Sequence, residues 1–448
     1  MTMKETLTQG NIRAQLITLA APLLIGNIMQ QLYNTVDAVI VGRYVGDAAF
    51  AAVGVSGSVM NLFLFLITGG CTGIGVMLSQ FYGAEDLHTF RRAFSLSAAA
   101  GLMFSLLLTG LALVTLDPIL RAMQTPADVL PYAADYLGII FGGFLAAFAY
   151  HLGSAVLRCV GNTRSALMFL LVSMAVNLIL DVYLIAGVKM GVAGAALATV
   201  IAQGLAGVLC VGYLVLRYPQ LVFRGRDMVF DPPLLRRIAR FSLVSALQMC
   251  SLYIGKLLVQ GTVNSLGTGA ISAYTAATRI EGFANSFGDS GAAAVSVFIG
   301  QNTGAKDNER VRRGYLTGQR LLAGFGVFMS LLMILFAVPA LKLVLPADSA
   351  EGLSHAVGYL RLVAVFYLFN FLGSGQSGYF HGRGRVNLPV MGTTSHITIR
   401  AILSALLAPR MGLEAVALAS GLGWVYVVSF WSIFRRQDFR RMDGKTAD

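Results

Sequence analysis

Twelve runs of about twenty or more mostly apolar residues follow one another along this 448-residue chain, and no other feature constrains its fold as tightly. They cover roughly 15–41, 50–80, 93–116, 132–157, 166–187, 192–216, 238–264, 270–300, 315–340, 355–380, 388–409 and 412–434, separated by charged or Pro/Gly-bearing breaks. An α-helix needs about 20 such residues to cross a hydrocarbon core. The runs are continuous rather than alternating, which excludes a barrel. Only 12% of the residues are charged, where a soluble domain carries about 25%. A fold so poor in charge cannot cover a water-facing surface. A cytoplasmic enzyme, a nucleic-acid-binding domain and a disordered scaffold are therefore excluded, and an all-α membrane protein with twelve transmembrane helices is expected.

The net charge of +12 is a topology signal. The two ends and every second loop (84–92, 158–165, 217–240, 305–320, 383–385) carry 24 Lys and Arg residues, and the other loops carry 6. By the positive-inside rule both termini and the middle connection lie in the cytoplasm. Residues 1–13 are polar and lead into a first span rather than a removable signal peptide. Cys71, Cys159, Cys210 and Cys250 are scattered through apolar stretches without metal-ligand spacing and read as small buried side chains.

The chain also repeats itself. Ser79-Gln-Phe-Tyr-Gly-Ala-Glu-Asp86 matches Gly300-Gln-Asn-Thr-Gly-Ala-Lys-Asp307 at an offset of 221, with Arg91-Arg92 answering Arg312-Arg313. Gly46 pairs with Gly267, Gly161 and Arg164 with Gly382 and Arg385, and Lys189–Thr199 with Arg410–Ser420, all at that offset. The chain is read as two homologous halves, 1–220 and 221–448, with a flexible cytoplasmic linker at about 217–236 that carries no ligand site. Each half has six spans. An even number returns the chain to its starting side, so the lobes share one orientation and are expected to be related by a pseudo-two-fold axis along the membrane normal, a transporter architecture.

Ionisable groups within apolar spans are costly, by about 2.5–3.5 kcal/mol on insertion scales, and each needs a reason. Asp37 lies late in the first span and Asp181 in the fifth. Asn177 shares a helical face with Asp181, and Gln30, Tyr33 and Asn34 form a polar stripe with Asp37. At the repeat offset Asp181 falls opposite Ile402, and Asp37 opposite Leu257 or Leu258, so the scaffold does not require acids there. Low dielectric disfavours a charged carboxylate, and so does a second one beside it. Such a pair can hold a proton near neutral pH, or stay ionised around a metal or organic cation, and competition between these ligands is the chemistry of an antiporter. In the second half Lys256, Glu281 and Asp289 are the charged candidates, with Lys256 expected to pair with Glu281 or Asp289.

The residues resemble a family. Ala21–Arg43, Ala51-Ala-Val-Gly54, the Gln80/Gly83-Ala84 loop, Arg158–Arg164 with Asn177-Leu-Ile-Leu-Asp181, Ala277-Thr-Arg-Ile-Glu-Gly-Phe283 and Ile299–Lys306 are similar to multidrug and toxic compound extrusion (MATE) transporters, and within them to the DinF-type bacterial branch. The resemblance covers nearly the whole chain. It implies a monomeric exporter in the bacterial plasma membrane that exchanges protons or sodium ions for amphipathic, often cationic small molecules, without a further cofactor. It also implies that Gln30, Asp37, Ser154, Asn177, Asp181 and Thr199 are proton- or ion-binding residues, with Asp37, Asn177 and Asp181 as ligands if the ion is sodium. Ser154 departs from the Asn common there. The competing reading, a flippase of lipid-linked sugars, would call for several basic residues lining the cavity. An enzyme is not expected, since neither a P-loop, a nucleophile elbow nor a His-Glu-x-x-His run occurs.

Overall fold

The computed structural model describes residues 6–345 and 350–444. The first repeat folds into α1 (Ile12–Val45), α2 (Asp47–Gly83), α3 (Leu87–Ala122), α4 (Leu130–Gly142), α5 (Phe144–Cys159), α6 (Thr163–Asp181) and α7 (Gly191–Arg217), with a π-helical turn at Val182–Gly187. The second supplies α8 (Pro232–Asn264), α9 (Thr268–Gly304), α10 (Asn308–Leu335), α11 (Ala337–Lys342), α12 (Ala350–Val365), α13 (Tyr367–Gly382), α14 (Asn387–Met411) and α15 (Leu413–Gly444). Nine of these helices are each long and apolar enough to cross a membrane, and the bent pairs α4–α5 (49°) and α12–α13 (52°) count as one span each. The twelfth span is α9, which has the length but carries Arg279, Glu281 and Asp289. The protein is a multi-pass, twelve-helix membrane protein of two six-helix lobes.

The repeated Gly-Ala-x-Asp segments fold alike because they solve the same problem at a helix start. Glu85 and Lys306 both take the left-handed conformation, with φ 57° and 58°. Each is followed by an N-cap aspartate. Asp86 accepts from the Thr89 N–H at 3.0 Å, and Asp307 from the Arg310 N–H at 2.8 Å. Both caps satisfy an amide that the first helical turn cannot pair.

Packing cuts the chain at other points than the sequence repeat. One compact unit takes in residues 25–246, the other residues 7–24 together with 247 onward. The leading helix of each repeat, α1 or α8, is thus divided between the units. In the first unit, Arg237 near the start of α8 donates to Gln80 Oε1 at 2.9 Å and stacks over Phe81. Gly69 and Gly73 of α2 let α8 approach: a Cβ at Gly73 would sit 2.2 Å from the Phe241 carbonyl oxygen. In the second unit, the Leu7 N–H donates to Gln301 Oε1 at 2.9 Å. Arg310 donates to the carbonyls of Leu7 and Gly10 and to Gln15 Oε1 at 2.8–3.0 Å.

The structure also corrects the register of the repeat. Positive-φ glycines pair Gly46 with Gly267 and Gly191 with Gly412, as the sequence does, but Gly161 answers Gly384 rather than Gly382. The bends likewise fall after Gly142 and Val365. The offset therefore widens by two residues across α4–α6 and closes again at 188–190, between the π-helical turn and Gly191. Asp181 then stands opposite Ser404, not Ile402, and Asn177 opposite Arg400.

The expected flexible linker is instead docked. Arg91 pairs with Asp227 (3.5 Å) and donates to the Gln220 carbonyl, Arg92 lies 3.9 Å from Asp231, and Phe94 meets Phe223 edge to face. Leu221 is fully buried. Apolar triplets at 221–223 and 228–230 flank the charged residues, and the first of them packs inward, which composition alone does not reveal.

Candidate functional site: a buried acid pair

Asp37 of α1 and Asp181 at the end of α6 bring their carboxyl groups into hydrogen-bond contact. Asp181 is fully buried, and Oδ1 of each acid is buried without a partner. The amide of Asn177, one turn before Asp181, is oriented with its nitrogen toward the acids. It donates to Asp181 Oδ2 at 2.7 Å and reaches the Tyr33 oxygen at 2.5 Å, while its Oδ1 accepts from the Thr199 N–H at 3.0 Å and from the Tyr33 hydroxyl at 3.1 Å. The Thr199 hydroxyl donates to the Ala195 carbonyl at 3.0 Å and lies 3.4 Å from the amide. Tyr136 of α4, only 4% exposed, lies within the electrostatic reach of both carboxyls.

The local backbone helps to set this geometry. The chain leaves α6 through the π-helical turn directly after Asp181. A π-turn absorbs extra residues without breaking the helix, and such turns gather at functional sites. The two repeats differ in length just beyond it, at 188–190.

Of the residues singled out in sequence, the structure brings Tyr33, Asp37, Asn177, Asp181 and Thr199 together. Gln30 and Asn34 are exposed and make none of the described hydrogen bonds of the cluster. Ser154 is buried but interacts with Tyr150 on its own helix. Sequence reading missed Tyr136. Its signal was a tyrosine in the same place in both repeats, Tyr136 and Tyr359, hidden by the two-residue shift in register.

The second unit holds a different arrangement. Among the described residues Lys256 makes no close ion pair with Glu281 or Asp289, though its charge lies within electrostatic reach of both; Lys256 and Asp289 are exposed, and Glu281 is buried. Around Glu281 stand Arg400, which donates to the Tyr274 hydroxyl at 3.2 Å, and Tyr359. Asn370 of α13 donates to Asn285 of α9 at 2.8 Å.

Chemically, the first-unit cluster offers two carboxyls, an amide, a phenol and a hydroxyl. Two carboxyls in contact need a proton or a cation between them. Oxygen donors of this kind suit a hard cation, but the Asn177 oxygen points at Thr199, so an ion bound between the acids would gain that ligand only if the amide turned over. No group of three His, Cys, Asp or Glu side chains able to hold a metal ion occurs among the described residues.

Comparison with known proteins follows the same division of the chain. The MatE family model matches twice, over residues 22–183 and again over residues 245–406, one match in each repeat. The "Probable multidrug resistance protein YpnP" of Bacillus subtilis is 25% identical over 94% of both chains. The "Multidrug resistance protein NorM" of Burkholderia vietnamiensis is 26% identical over 92% of both. The structure superposes on an outward-facing multidrug resistance MATE family transporter with a TM-score of 0.92, at 21% identity and covering 99% of this chain and 100% of that one. It superposes with a TM-score of 0.90 on a MOP superfamily transporter from Pyrococcus furiosus, at 21% identity over 98% of each chain.

Proposed function

The chain belongs to the MatE family, and on that footing we propose that it is a secondary active multidrug efflux transporter, exchanging protons or sodium ions for amphipathic cationic compounds by alternating access. Its seat is the bacterial plasma membrane, with both termini cytoplasmic. The observation that carries the reading is the contact between Asp37 and Asp181, with Asn177 bridging to Asp181. A proton between the carboxyls neutralises the pair. An organic or metal cation does the same from outside, so the two ligands exclude one another. Exchange follows when the two conformations of the protein hold these ligands with different affinity, because a ligand bound equally by both shifts nothing. Acids at the site favour cationic cargo over the pyrophosphate headgroup that a flippase of lipid-linked sugars would carry. The names of the relatives, multidrug resistance proteins and exporters, support the same class.

The test is the affinity of the purified protein for a lipophilic cation such as ethidium across pH. Wild type should bind more weakly as protons compete for the pair. Asp37→Asn and Asp181→Asn should fold, since a neutral amide is cheaper to bury than a carboxylate, and should lose most of that pH dependence along with gradient-driven export. Flux in proteoliposomes with proton and sodium gradients imposed separately then assigns the coupling ion. A variant that kept both full export and the wild-type pH profile would remove its acid from the coupling site.

A further inference from the structure

The docked segment after α7 leaves one side uncovered. Met228, Val229 and Phe230 are 64%, 42% and 74% exposed. Between this strap and α3 runs an apolar groove of about 440 Å³, walled by Leu96, Ala99 and Leu102 on one side and by Phe223, Met228 and Phe230 on the other. The groove opens toward the part of α3 where Met103, Leu106, Leu107, Leu111 and Val114 are all more than half exposed. In a membrane protein such a stripe faces acyl chains, so the groove is continuous with lipid rather than with water.

Its rim is cationic. Arg224, next to Phe223 in the strap, is exposed, and its guanidinium makes no ion pair among the described residues; its backbone pairs with Asp227, the N–H donating to Oδ2 and the carbonyl accepting from the Asp227 N–H, both at 2.8 Å. Arg92 at the start of α3 is held only at 3.9 Å from a partly exposed Asp231. The ion pair of Arg91 with the buried Asp227 fixes the strap at this height, about one turn above the groove. By the charge count this end of α3 is the cytoplasmic one, where anionic lipid headgroups attract basic residues by about 1 kcal/mol each. An apolar slot that opens into the bilayer below two arginines, Arg224 without an ion pair and Arg92 in a long one, matches one partner chemistry.

We infer that the strap and α3 form a binding site for a single anionic phospholipid, one acyl chain lying in the groove and the phosphate resting against Arg224 and Arg92. The strap thereby has a role that a mere connector lacks: it holds a lipid at the edge of the first unit, and the lipid covers Phe230 and Met228.

Purified full-length protein, delipidated in detergent, can be titrated with phosphatidylglycerol or phosphatidylcholine and read by native mass spectrometry and thermal unfolding. Phosphatidylglycerol should be retained as one bound lipid and raise Tm by several degrees, and phosphatidylcholine should bind at least fivefold more weakly. Arg224→Gln and Phe230→Ser, both at exposed positions where folding is not at stake, should each lower phosphatidylglycerol occupancy at least fivefold. Leu107→Ser, on the lipid-facing part of α3 but outside the groove, should leave it unchanged. Soluble glycerol phosphate should have no effect, which separates a lipid site from a phosphate site. Equal retention of the two lipids, full retention by Arg224→Gln and Phe230→Ser, or stabilisation by glycerol phosphate alone would overturn the inference.

Discussion

Gln80 and Gln301 hold the same place in the two repeats, and each accepts a 2.9 Å hydrogen bond from a segment leading into a repeat: Gln80 from the Arg237 guanidinium, Gln301 from the Leu7 backbone N–H. The motif that makes the duplication visible in sequence is thus, in structure, a pair of sockets. In the second unit the socket is reinforced by Arg310, whose three hydrogen bonds hold residues 7–15 and whose guanidinium lies 5.3 Å from the Phe298 ring centroid.

Arg310→Ala should therefore loosen the amino-terminal segment specifically. Hydrogen bonds to a charged group are worth about 1.5–3 kcal/mol each, so amide exchange in residues 7–15 should accelerate at least about tenfold while exchange in α3–α7 is unchanged. Arg310→Lys should restore little, because an ammonium cannot present the fork that reaches all three acceptors. Uniform acceleration through the whole chain would mean that Arg310 supports global stability rather than this tether.

The helix contacts around these sockets depend on missing Cβ atoms. A methyl at Gly73 would meet the Phe241 carbonyl oxygen at 2.2 Å, and one at Gly378 the Ala292 carbonyl oxygen at 2.4 Å, both backbone atoms that cannot swing aside. Gly54 has nothing within 4 Å. Gly73→Ala and Gly378→Ala should each cost about 1–3 kcal/mol of overpacking, read as a lower Tm in detergent. Gly54→Ala should be neutral or slightly stabilising, since alanine is the better helix former.

The cap at Asp86 gives a pH dependence whose sign follows from its bonds. The Thr89 N–H, and then its side chain, hold the Asp86 carboxyl below the usual carboxylate range. A folded pKa below the unfolded value of about 3.9 stabilises the fold above that value, and the contribution disappears as pH falls through the folded pKa. Asp86→Asn keeps an N-cap acceptor without a titrating charge. The Tm difference between wild type and Asp86→Asn should be constant from pH 5 to 7 and shift in favour of the variant below about pH 4. The site is largely exposed, so the shift should be small, and it should shrink further in high salt.

How much of this was legible in sequence depends on what each residue had to say by itself. The spans announced themselves because hydrocarbon demands length and apolarity in one continuous run. Asp37 and Asp181 stood out because a charge there has no structural excuse, and Asn177 because it shares a face with Asp181. Tyr136 was silent: a tyrosine in an apolar helix is ordinary, and only the three-dimensional register, with Tyr359 as its counterpart, marks it. The docking of 217–231 was equally hidden, because Arg, Pro and Gly in a connection read as solvated chain until Asp227 and Asp231 are seen to face Arg91 and Arg92. The division of α1 and α8 between the packing units left no trace in composition at all.

Orientation is testable with little background, because all four native cysteines are buried. The exposed positions Asp128 and Arg224 lie on loops that the Lys and Arg count assigns to opposite sides. A membrane-impermeant maleimide added to intact cells should label Asp128→Cys and miss Arg224→Cys, and both should react after lysis. The reverse pattern would invert the topology.

The π-helical turn after Asp181 yields the sharpest test of how the acid pair is held. Thirty residues separate Gly161 from Gly191 in the first repeat, and twenty-eight separate Gly384 from Gly412 in the second, where α14 runs on without a π-turn. The helical segments themselves are equally long, and the extra residues of the first repeat fall at 188–190, just past a π-turn that lies directly beside Asp181 and Asn177. Deleting Ala186 should relax the turn toward α-helical spacing and draw the end of α6 along its axis relative to Thr199 by about 1.5 Å, one helical residue. The fold should survive, because Ala186 is only partly buried and the rest of α6 keeps its packing; Tm should fall by no more than a few degrees. A shift of that size is enough to break the hydrogen bonds from Thr199 and Tyr33 to the Asn177 oxygen, now 3.0 and 3.1 Å long. With Asn177 released, its bond to Asp181 is no longer aligned, and the pH dependence of ethidium binding should flatten toward that of Asp181→Asn. Deleting Asp128 from the exposed 123–129 connection should leave the pH profile intact and controls for shortening as such. A protein lacking Ala186 that folded and kept the wild-type pH profile would show that the π-turn is incidental and that the acid pair is positioned from α1 and α4 alone.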